Sequence, residues 1–171
     1  VKLAVGTSSE LDLGSGLEMS SITSMQGLGL ATYPETLSGD AVPYLEKDYD
    51  LLAGSYPQDE TDLVLVVDSE NRVAYSTLGN LGFDVEGVET IAFEDIVGTQ
   101  LKLVDNDDFY VQTPLGNYVP GNDYAAMYDD PDSITLTISG ILRLKPDVLR
   151  GLVGNGIAYS DALVDHICER A

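Results

Sequence analysis

The stretch Leu63-Val64-Leu65-Val66-Val67 places five apolar residues in a row between Asp62 and Asp68. A run this short, rich in β-branched side chains and bounded by acidic residues, predicts a strand that is buried on both faces. Further along, Ile134-Thr135-Leu136-Thr137-Ile138 alternates apolar and polar residues, and Gly140-Ile141-Leu142 continues the strand. Threonine at the polar positions is typical of a half-exposed sheet. These two segments are the clearest strands that the sequence predicts.

Two helices that end at glycine are predicted between these strands. Ala74, Leu78 and Leu81 recur at intervals of four and three residues, which is one face of a helix. Gly82 then stands where a left-handed C-terminal cap is needed. The segment Phe93-Glu94-Asp95-Ile96-Val97-Gly98 resembles a single helical turn that is again stopped by glycine.

The C-terminal region predicts a strand followed by a helix. Gly151 to Gly156 is a flexible connector, Ile157-Ala158-Tyr159 is a short strand, and Ser160 is a good helix N-cap. The apolar stripe of the terminal helix is formed by Leu163, Val164 and Ile167. Cys168 lies four residues beyond Val164 and is expected to act as a small apolar side chain. As the only cysteine, it also excludes an intrachain disulfide.

The middle of the chain combines a predicted hairpin with a long excursion. Residues Gln100 to Val104 and Phe109 to Gln112 are two predicted strands, and Asp105-Asn106-Asp107-Asp108 is the polar turn between them. Residues 113–132 contain three prolines and two glycines and predict an irregular excursion. Long loops of this kind tend to be functional or mobile.

The length of 171 residues fits one domain, or one domain with a small appendage. We expect residues 44–171 to form an α+β core domain that includes the excursion at 113–132. Residues 1–43 are weakly patterned. We expect them to pack on the main domain as a short strand, a short helix and a long loop.

Eight basic and twenty-nine acidic residues give the chain a formal net charge of −21. Nucleic-acid binding depends on Lys and Arg residues that displace counterions at phosphates, and the few basic residues here are scattered along the chain. A nucleic-acid partner is therefore excluded, and attachment to anionic lipid is disfavoured. The acidity indicates either a well-solvated surface or an attraction of cationic peptides or metal ions.

Segments that would insert into or cross a membrane are not evident. No stretch approaches the roughly 18 consecutive apolar residues that a spanning helix needs. No basic region followed by an apolar stretch marks a signal peptide. Because the chain begins with Val1 instead of Met, we expect it to be a fragment or a mature form of a longer protein.

Motifs for catalysis or cofactor binding are weak, and we expect no enzymatic activity, no cofactor and no metal centre. His166 is the only histidine and is predicted at the solvated edge of the terminal helix, which does not suit a general base. Gly27-Leu28-Gly29-Leu30-Ala31-Thr32 begins like a dinucleotide-binding loop but ends in Thr and follows no predicted strand. Weak ion binding stays open at the acidic clusters Asp105–Asp108 and Asp129–Asp132, although the first lacks the glycine and glutamate of an EF-hand.

Ten tyrosines are the remaining compositional feature. Most of them fall in or near predicted loops: Tyr33, Tyr44, Tyr49, Tyr56, Tyr110, Tyr118, Tyr124 and Tyr128. Tyrosine offers amphipathic contact area at low entropic cost and is enriched in interfaces. These side chains either pack the loops onto the body of the domain or form an interaction surface.

Six soft motifs of apolar residues and glycines follow one another between Leu52 and Ala162. They are, in order, Leu52-Ala53-Gly54-Ser55-Tyr56-Pro57, Leu63 to Asp68, Leu81-Gly82, Ile96-Val97-Gly98-Thr99-Gln100-Leu101-Lys102-Leu103, Ile138-Ser139-Gly140-Ile141-Leu142 and Gly156-Ile157-Ala158-Tyr159-Ser160. This order resembles the extracytoplasmic domains of ABC transporter permeases of the FtsX/MacB type, in particular the large permeases of Gram-positive bacteria. The resemblance covers about two-thirds of the chain, and residues 1–43 do not contribute to it.

The resemblance implies an α+β fold with a mixed β-sheet and helices packed on one side, like the MacB periplasmic core, with a small second lobe built from the excursion. It implies a location at the extracytoplasmic face of the cell membrane, between two membrane spans. The implied partners are the transmembrane helices of the same permease, a cytoplasmic ABC ATPase, a second copy in a homodimer, and a peptide, lipid or lipoprotein substrate. Such a domain transmits motion outward or holds the substrate, and the family has no catalytic residues to carry over.

A second interpretation is a secreted or surface-anchored module for ligand binding or adhesion, without a transporter role. The two interpretations differ in what flanks the segment. Membrane spans and a neighbouring ATPase gene fit the permease, whereas a lipid-attachment cysteine or a wall anchor fits the free module.

Overall fold

The computed structural model describes residues 2–4, 30–37, 39, 41–104, 109–121, 123–131 and 133–170. Ten strands lie in these ranges: β1 (Lys2–Ala4), β2 (Leu30–Tyr33), β3 (Tyr49–Gly54), β4 (Asp62–Val67), β5 (Arg72–Ala74), β6 (Gln100–Leu103), β7 (Tyr110–Gln112), β8 (Tyr118–Pro120), β9 (Ile134–Leu144) and β10 (Gly156–Ser160). Five helices lie in the same ranges: α1 (Tyr44–Asp48), α2 (Tyr75–Asn80), α3 (Phe93–Ile96), α4 (Tyr124–Asp129) and α5 (Asp161–Arg170). None of these five helices has the length and apolarity to cross a membrane.

The central sheet has six strands in the order β2-β10-β4-β9-β3, and β6 also pairs with β9. The pairs β2–β10 and β4–β9 are parallel, whereas β10–β4, β3–β9 and β6–β9 are antiparallel. The protein is therefore an α+β protein with a mixed, open sheet. Strand β2 forms one edge of this sheet, so residues before Tyr44 supply part of it. It begins within the glycine-containing segment at residues 27–32, and the sequence does not place the short strand expected in residues 1–43 at any position.

Strand β9 is the centre of the sheet because its eleven residues are bordered by β4 on one edge and by β6 and β3 in succession on the other. The approach of β3 requires glycine on both strands. Gly54 and Gly140 are register partners. A Cβ atom on Gly54 would collide with the carbonyl oxygen of Ser139, and one on Gly140 would collide with that of Ser55. Gly54 belongs to the first of the six soft motifs and Gly140 to the fifth, so these two motifs meet across this pair of strands.

Strand β4 is buried on both faces, which confirms the prediction from its unbroken apolar run. Leu63, Leu65 and Val67 belong to one hydrophobic cluster. The alternate residues Val64 and Val66 belong to a second cluster on the opposite face. Successive side chains of a strand point to opposite faces, so this single strand supplies apolar side chains to both halves of the core.

Three of the described helices pack on one face of the sheet and one packs on the other. Helices α2, α3 and α5 pack on the first cluster through Leu78, Ile96 and Leu163. Helix α1 instead buries Tyr44 and Leu45 in the second cluster. The expectation that all helices lie on one side is therefore wrong for α1. This helix runs into β3 without a connector, and the first residue of β3 also belongs to the second cluster, which keeps α1 on that face.

Both predicted glycine-ended helices are confirmed. Gly82 follows α2 with φ +88°, and Gly98 follows α3 with φ +91°. The N–H of Gly82 donates to the carbonyl of Gly79 at 3.0 Å, so the chain turns back on the end of the helix. Two of the three predicted face residues flank α2: Ala74 ends β5 and is the N-cap, and Leu81 is the C-cap.

The predicted hairpin between residues 100–104 and 109–112 is wrong. Strand β6 pairs with β9, from Leu103 opposite Ile134 to Gln100 opposite Thr137. Strand β7 pairs with β8. The predicted turn at 105–108 lies outside the described residues. Turn-forming residues indicate that a strand ends, but they do not say which partner it has, and β6 gains more burial beside the apolar β9. The excursion at 113–132 contains β8 and α4, so it is not irregular throughout.

Strand β10 and helix α5 confirm the predicted C-terminal pair, but the stripe on α5 is narrower than expected. Leu163 is buried and Ile167 packs against the first cluster. Val164 is 36% exposed and Cys168 is exposed. Each residue turns the helix by about 100°, so positions 164 and 168 point well away from Leu163, whereas 167 lies almost beneath it. The predicted apolar roles of Val164 and Cys168 are therefore wrong.

Candidate ligand-binding cleft

A cleft of about 240 Å³ opens where β2 and β10 end. These strands are parallel and in register, and their last residues, Tyr33 and Ser160, lie side by side. Strand β4 runs antiparallel to β10, so its first residue, Asp62, is at the same edge of the sheet. Leu45 of α1 and the turn that follows β3 provide further walls. The site therefore depends on three adjacent strands that are far apart in sequence.

Two unpaired hydroxyl groups lie at the wall of this cleft. Tyr33 and Ser160 are each 3% exposed. Neither Tyr33 Oη nor Ser160 Oγ has a hydrogen-bond partner within the part of the chain that the structure describes. A buried hydroxyl without a partner costs about 1–3 kcal/mol. Most buried polar groups in native proteins are paired, so two unpaired ones on neighbouring strands require an explanation.

The rim of the cleft is acidic. Glu35, Glu46 and Asp59 line it, and none of the described lining residues is basic. Two further carboxylates are held close by. Asp161 Oδ1 accepts a hydrogen bond from the backbone N–H of Glu35 at 3.2 Å. Asp62 Oδ2 accepts from the N–H of Asp59 at 3.3 Å. These bonds fix the backbone that carries Glu35 and Asp59.

The electrostatic field at Tyr33 is negative. Burial raises the pKa of the Tyr33 hydroxyl well above its ordinary value. Three carboxylates raise the same pKa further: Asp62, Glu35 and Asp161. The hydroxyl therefore stays protonated at physiological pH. The same three charges would stabilise a cation at this position.

The opposite wall of the cleft is apolar and fixed by hydrogen bonds. It includes Leu45, Pro43 and Pro57, together with the ring of Tyr56. Tyr56 Oη donates to the carbonyl of Tyr49 at 2.9 Å, which holds the ring in place. The cleft thus combines an apolar wall, an acidic rim and two unpaired hydroxyls, and this combination is typical of a site that binds a small amphipathic ligand.

The residues considered for catalysis and ion binding lie elsewhere. His166 Nδ1 contacts Glu60 Oε1 on the surface, where both side chains are about two-fifths exposed. The cluster at Asp105–Asp108 lies outside the described residues, as does Asp132. Within the residues that are described, no group of three or more His, Cys, Asp or Glu side chains is placed to hold a metal ion.

The tyrosines divide into a buried group and an exposed group, and packing onto the body of the domain is confirmed for the buried one. Tyr44 and Tyr49 are buried and make an edge-to-face pair with ring centroids 5.8 Å apart. Tyr44 Oη accepts from the N–H of Leu152 at 2.6 Å, and Tyr49 Oη donates to the carbonyl of Val153 at 2.8 Å. These bonds fasten the connector before β10 to the sheet. The exposed group is Tyr110, Tyr118 and Tyr128, on β7, β8 and α4.

Sequence reasoning did not find the cleft. For Tyr33 the sequence leaves both loop packing and an interaction surface open, and for Ser160 it predicts the N-cap of α5. Ser160 does precede α5, but its Oγ makes no capping bond to described residues. The signal that was present is the acidity around both residues, with Glu35 two residues after Tyr33 and Asp161 next to Ser160. The pairing of β2 with β10 is what turns this acidity into a site.

Comparison with known proteins adds no relationship: no family model, no curated protein and no solved structure matches this chain.

Proposed function

We propose that this chain is the extracytoplasmic domain of an ABC transporter permease of the FtsX/MacB type, and that it holds a substrate for the transporter. In this proposal the domain itself catalyses no reaction. A separate cytoplasmic ATPase hydrolyses ATP, and the transmembrane helices of the same permease connect the two. The support is the order of the six soft motifs together with an α+β fold whose mixed, open sheet is compatible with such a domain.

The observation that favours holding a substrate over transmitting motion alone is the pair of unpaired hydroxyls at the cleft. A domain that only transmits motion gains nothing from burying Tyr33 Oη and Ser160 Oγ without partners. A ligand that supplies the missing hydrogen bonds would recover that cost on binding. The cleft is also preformed, because Tyr56 and the turn carrying Asp59 are held by hydrogen bonds of their own.

Cys168 allows a direct test of location in the intact gene product. It is exposed on α5 and is the only cysteine in this sequence. A membrane-impermeant maleimide is added either to intact cells or to lysed cells, and the Cys168→Ser variant identifies labelling at other positions. The proposal expects labelling of Cys168 in intact cells. It also expects the protein to stay in carbonate-washed membranes and to co-purify with an ABC ATPase.

The outcomes separate the proposal from its competitor. Labelling only after lysis would place Cys168 inside the cell and contradict an extracytoplasmic domain. Labelling in intact cells without an ATPase in the purified complex would instead favour a secreted or surface-anchored binding module. Release of the protein from carbonate-washed membranes would contradict the permease in the same way.

A further inference from the structure

We propose that the cleft binds the primary ammonium group of an amphipathic ligand, with the attached carbon chain against the apolar wall. This inference deepens the proposed function by naming the substrate class of the same site. It applies to the residues around Tyr33 and Ser160, where the two unpaired hydroxyls, the acidic rim and the apolar wall meet.

The charge of the ligand follows from the rim. Glu35, Glu46 and Asp59 line the cleft, and Asp62 and Asp161 stand behind it. With no basic side chain among the described lining residues, an anion would be repelled by the rim and attracted by no opposite charge there. A cation would gain from all of these carboxylates. Their effect is strongest at the base of the cleft, where Tyr33 Oη is shielded from water.

The shape of the hydrogen-bonding groups favours an ammonium over other cations. An ammonium carries three N–H donors on one atom and no acceptor. The cleft is lined by two residues with unpaired hydroxyl oxygens on neighbouring strands and by carboxylates at its rim, so acceptors of both kinds are available to the N–H donors. A guanidinium prefers a planar, bidentate carboxylate partner. Divalent metal ions need several oxygen ligands at close range, and no such group occurs among the described residues.

The apolar wall indicates that the part of the ligand attached to the ammonium is a carbon chain. Leu45, Pro57 and the ring of Tyr56 present carbon surface beside the polar base. A short carbon chain attached to the ammonium can bury itself there, because removing apolar surface from water is favourable. Both a free alkylamine and the side chain of a lysine in a peptide have this chemistry. The experiment therefore includes both sources.

The test is a titration of the purified 171-residue chain, followed by NMR chemical shifts and by calorimetry. The probes are n-butylamine, which is protonated at pH 7, and the peptide acetyl-Gly-Lys-Gly-amide. Their uncharged counterparts are n-butanol and the same peptide with norleucine in place of lysine. Calcium chloride serves as the metal probe. We expect at least one ammonium probe to bind at least tenfold more tightly than its uncharged counterpart.

Matched variants locate the binding. Glu35→Gln removes one rim charge and is expected to weaken ammonium binding by about three- to tenfold, since the lost attraction acts across a partly solvated rim. Glu89→Gln removes the same charge from an exposed position between α2 and α3, and should change the affinity by less than twofold. Tyr33→Phe and Ser160→Ala each remove one acceptor and should weaken binding while the fold stays intact.

The outcomes are distinct. Equal binding of n-butylamine and n-butanol, an equal effect of Glu35→Gln and Glu89→Gln, or calcium binding that displaces the amine would each overturn the ammonium site. Tight binding of the lysine peptide alone identifies a peptide as the source, and tight binding of the free amine alone identifies a small molecule. Failure of all probes, with Cys168 labelled outside and an ATPase bound, refutes the ammonium site and leaves the proposed function standing.

Discussion

Tyr33 and Ser160 are register partners at the ends of two parallel strands, and each carries a buried hydroxyl without a hydrogen-bond partner among the described residues. The relationship joins residues that are more than a hundred positions apart in the sequence. Side chains opposite each other in a parallel pair point to the same face, and both residues line the same cleft.

Removing the Tyr33 hydroxyl is expected to stabilise the folded protein. Tyr33→Phe keeps the buried ring and removes the unpaired oxygen, so the free energy of unfolding should rise by about 1 kcal/mol. For a chain of this size that corresponds to an increase in Tm of roughly 2–4 °C. Urea and thermal unfolding followed by circular dichroism would measure both quantities. A loss of stability would mean that Tyr33 Oη has a partner in the apoprotein.

The same substitution at Tyr49 is expected to have the opposite effect. Tyr49 Oη donates to the carbonyl of Val153 at 2.8 Å and accepts from its N–H at 3.2 Å. Tyr49→Phe leaves both backbone groups unpaired in the core and should cost about 1–3 kcal/mol. Amide hydrogen exchange at Val153 should become faster. Unchanged exchange there would show that Tyr49 does not hold the connector.

Close packing between β3 and β9 predicts that Gly140 cannot be replaced. In Gly140→Ala the new methyl group would collide with the backbone carbonyl of Ser55, and backbone atoms cannot move aside as a side chain can. We expect a loss of stability of at least about 2 kcal/mol.

A matched control is Gly79→Ala in α2, where a Cβ atom meets nothing within 4 Å. Because alanine favours helix more than glycine does, that variant should be neutral or gain up to about 1 kcal/mol. Denaturant unfolding of both variants makes the comparison. Equal stability of the two would contradict the close packing at Gly140.

The turn between β4 and β5 predicts a loss of stability in acid. Burial acts to raise the pKa of Asp68, but hydrogen bonds from Arg72 and from the backbone N–H of Glu70 outweigh it, and the pKa is lowered overall. The folded-state pKa is thus below the unfolded value of about 3.9, so the stabilisation is fully present above that value and is lost as the pH falls through the folded-state pKa. Asp68→Asn should flatten the dependence of unfolding free energy on pH between about 5 and 2. An unchanged slope would contradict the assignment.

Local sequence patterns were sufficient where one segment determines its own structure. The unbroken apolar run at 63–67 predicted a strand buried on both faces, and the glycines at 82 and 98 predicted helix ends, because these signals depend on side-chain spacing and backbone freedom alone. The alternation at 134–138 likewise matches the alternating burial of β9.

The predictions that failed depend on which strands pair and which face a helix packs on, and no local sequence pattern determines either. The polar residues at 105–108 predicted a hairpin, yet β6 pairs with β9 and β7 with β8. Helix α1 was not predicted, and its apolar pair Tyr44 and Leu45 is buried on the face opposite the other sheet-packed helices. The cleft was missed for the same reason, since it exists only when β2 and β10 are placed side by side in register.

Leu103 and Ile134 face each other across β6 and β9, and among the described residues between them β7 and β8 pair with each other, outside the main sheet. No described residue between them belongs to either hydrophobic cluster. Changing the length of such a closed excursion alters the chain entropy only slowly. The hairpin of β7 and β8 and the helix α4 can therefore be enlarged, shortened or exchanged for a tight turn without disturbing the core. This makes the segment the natural place for the protein to acquire new surface during evolution or by design.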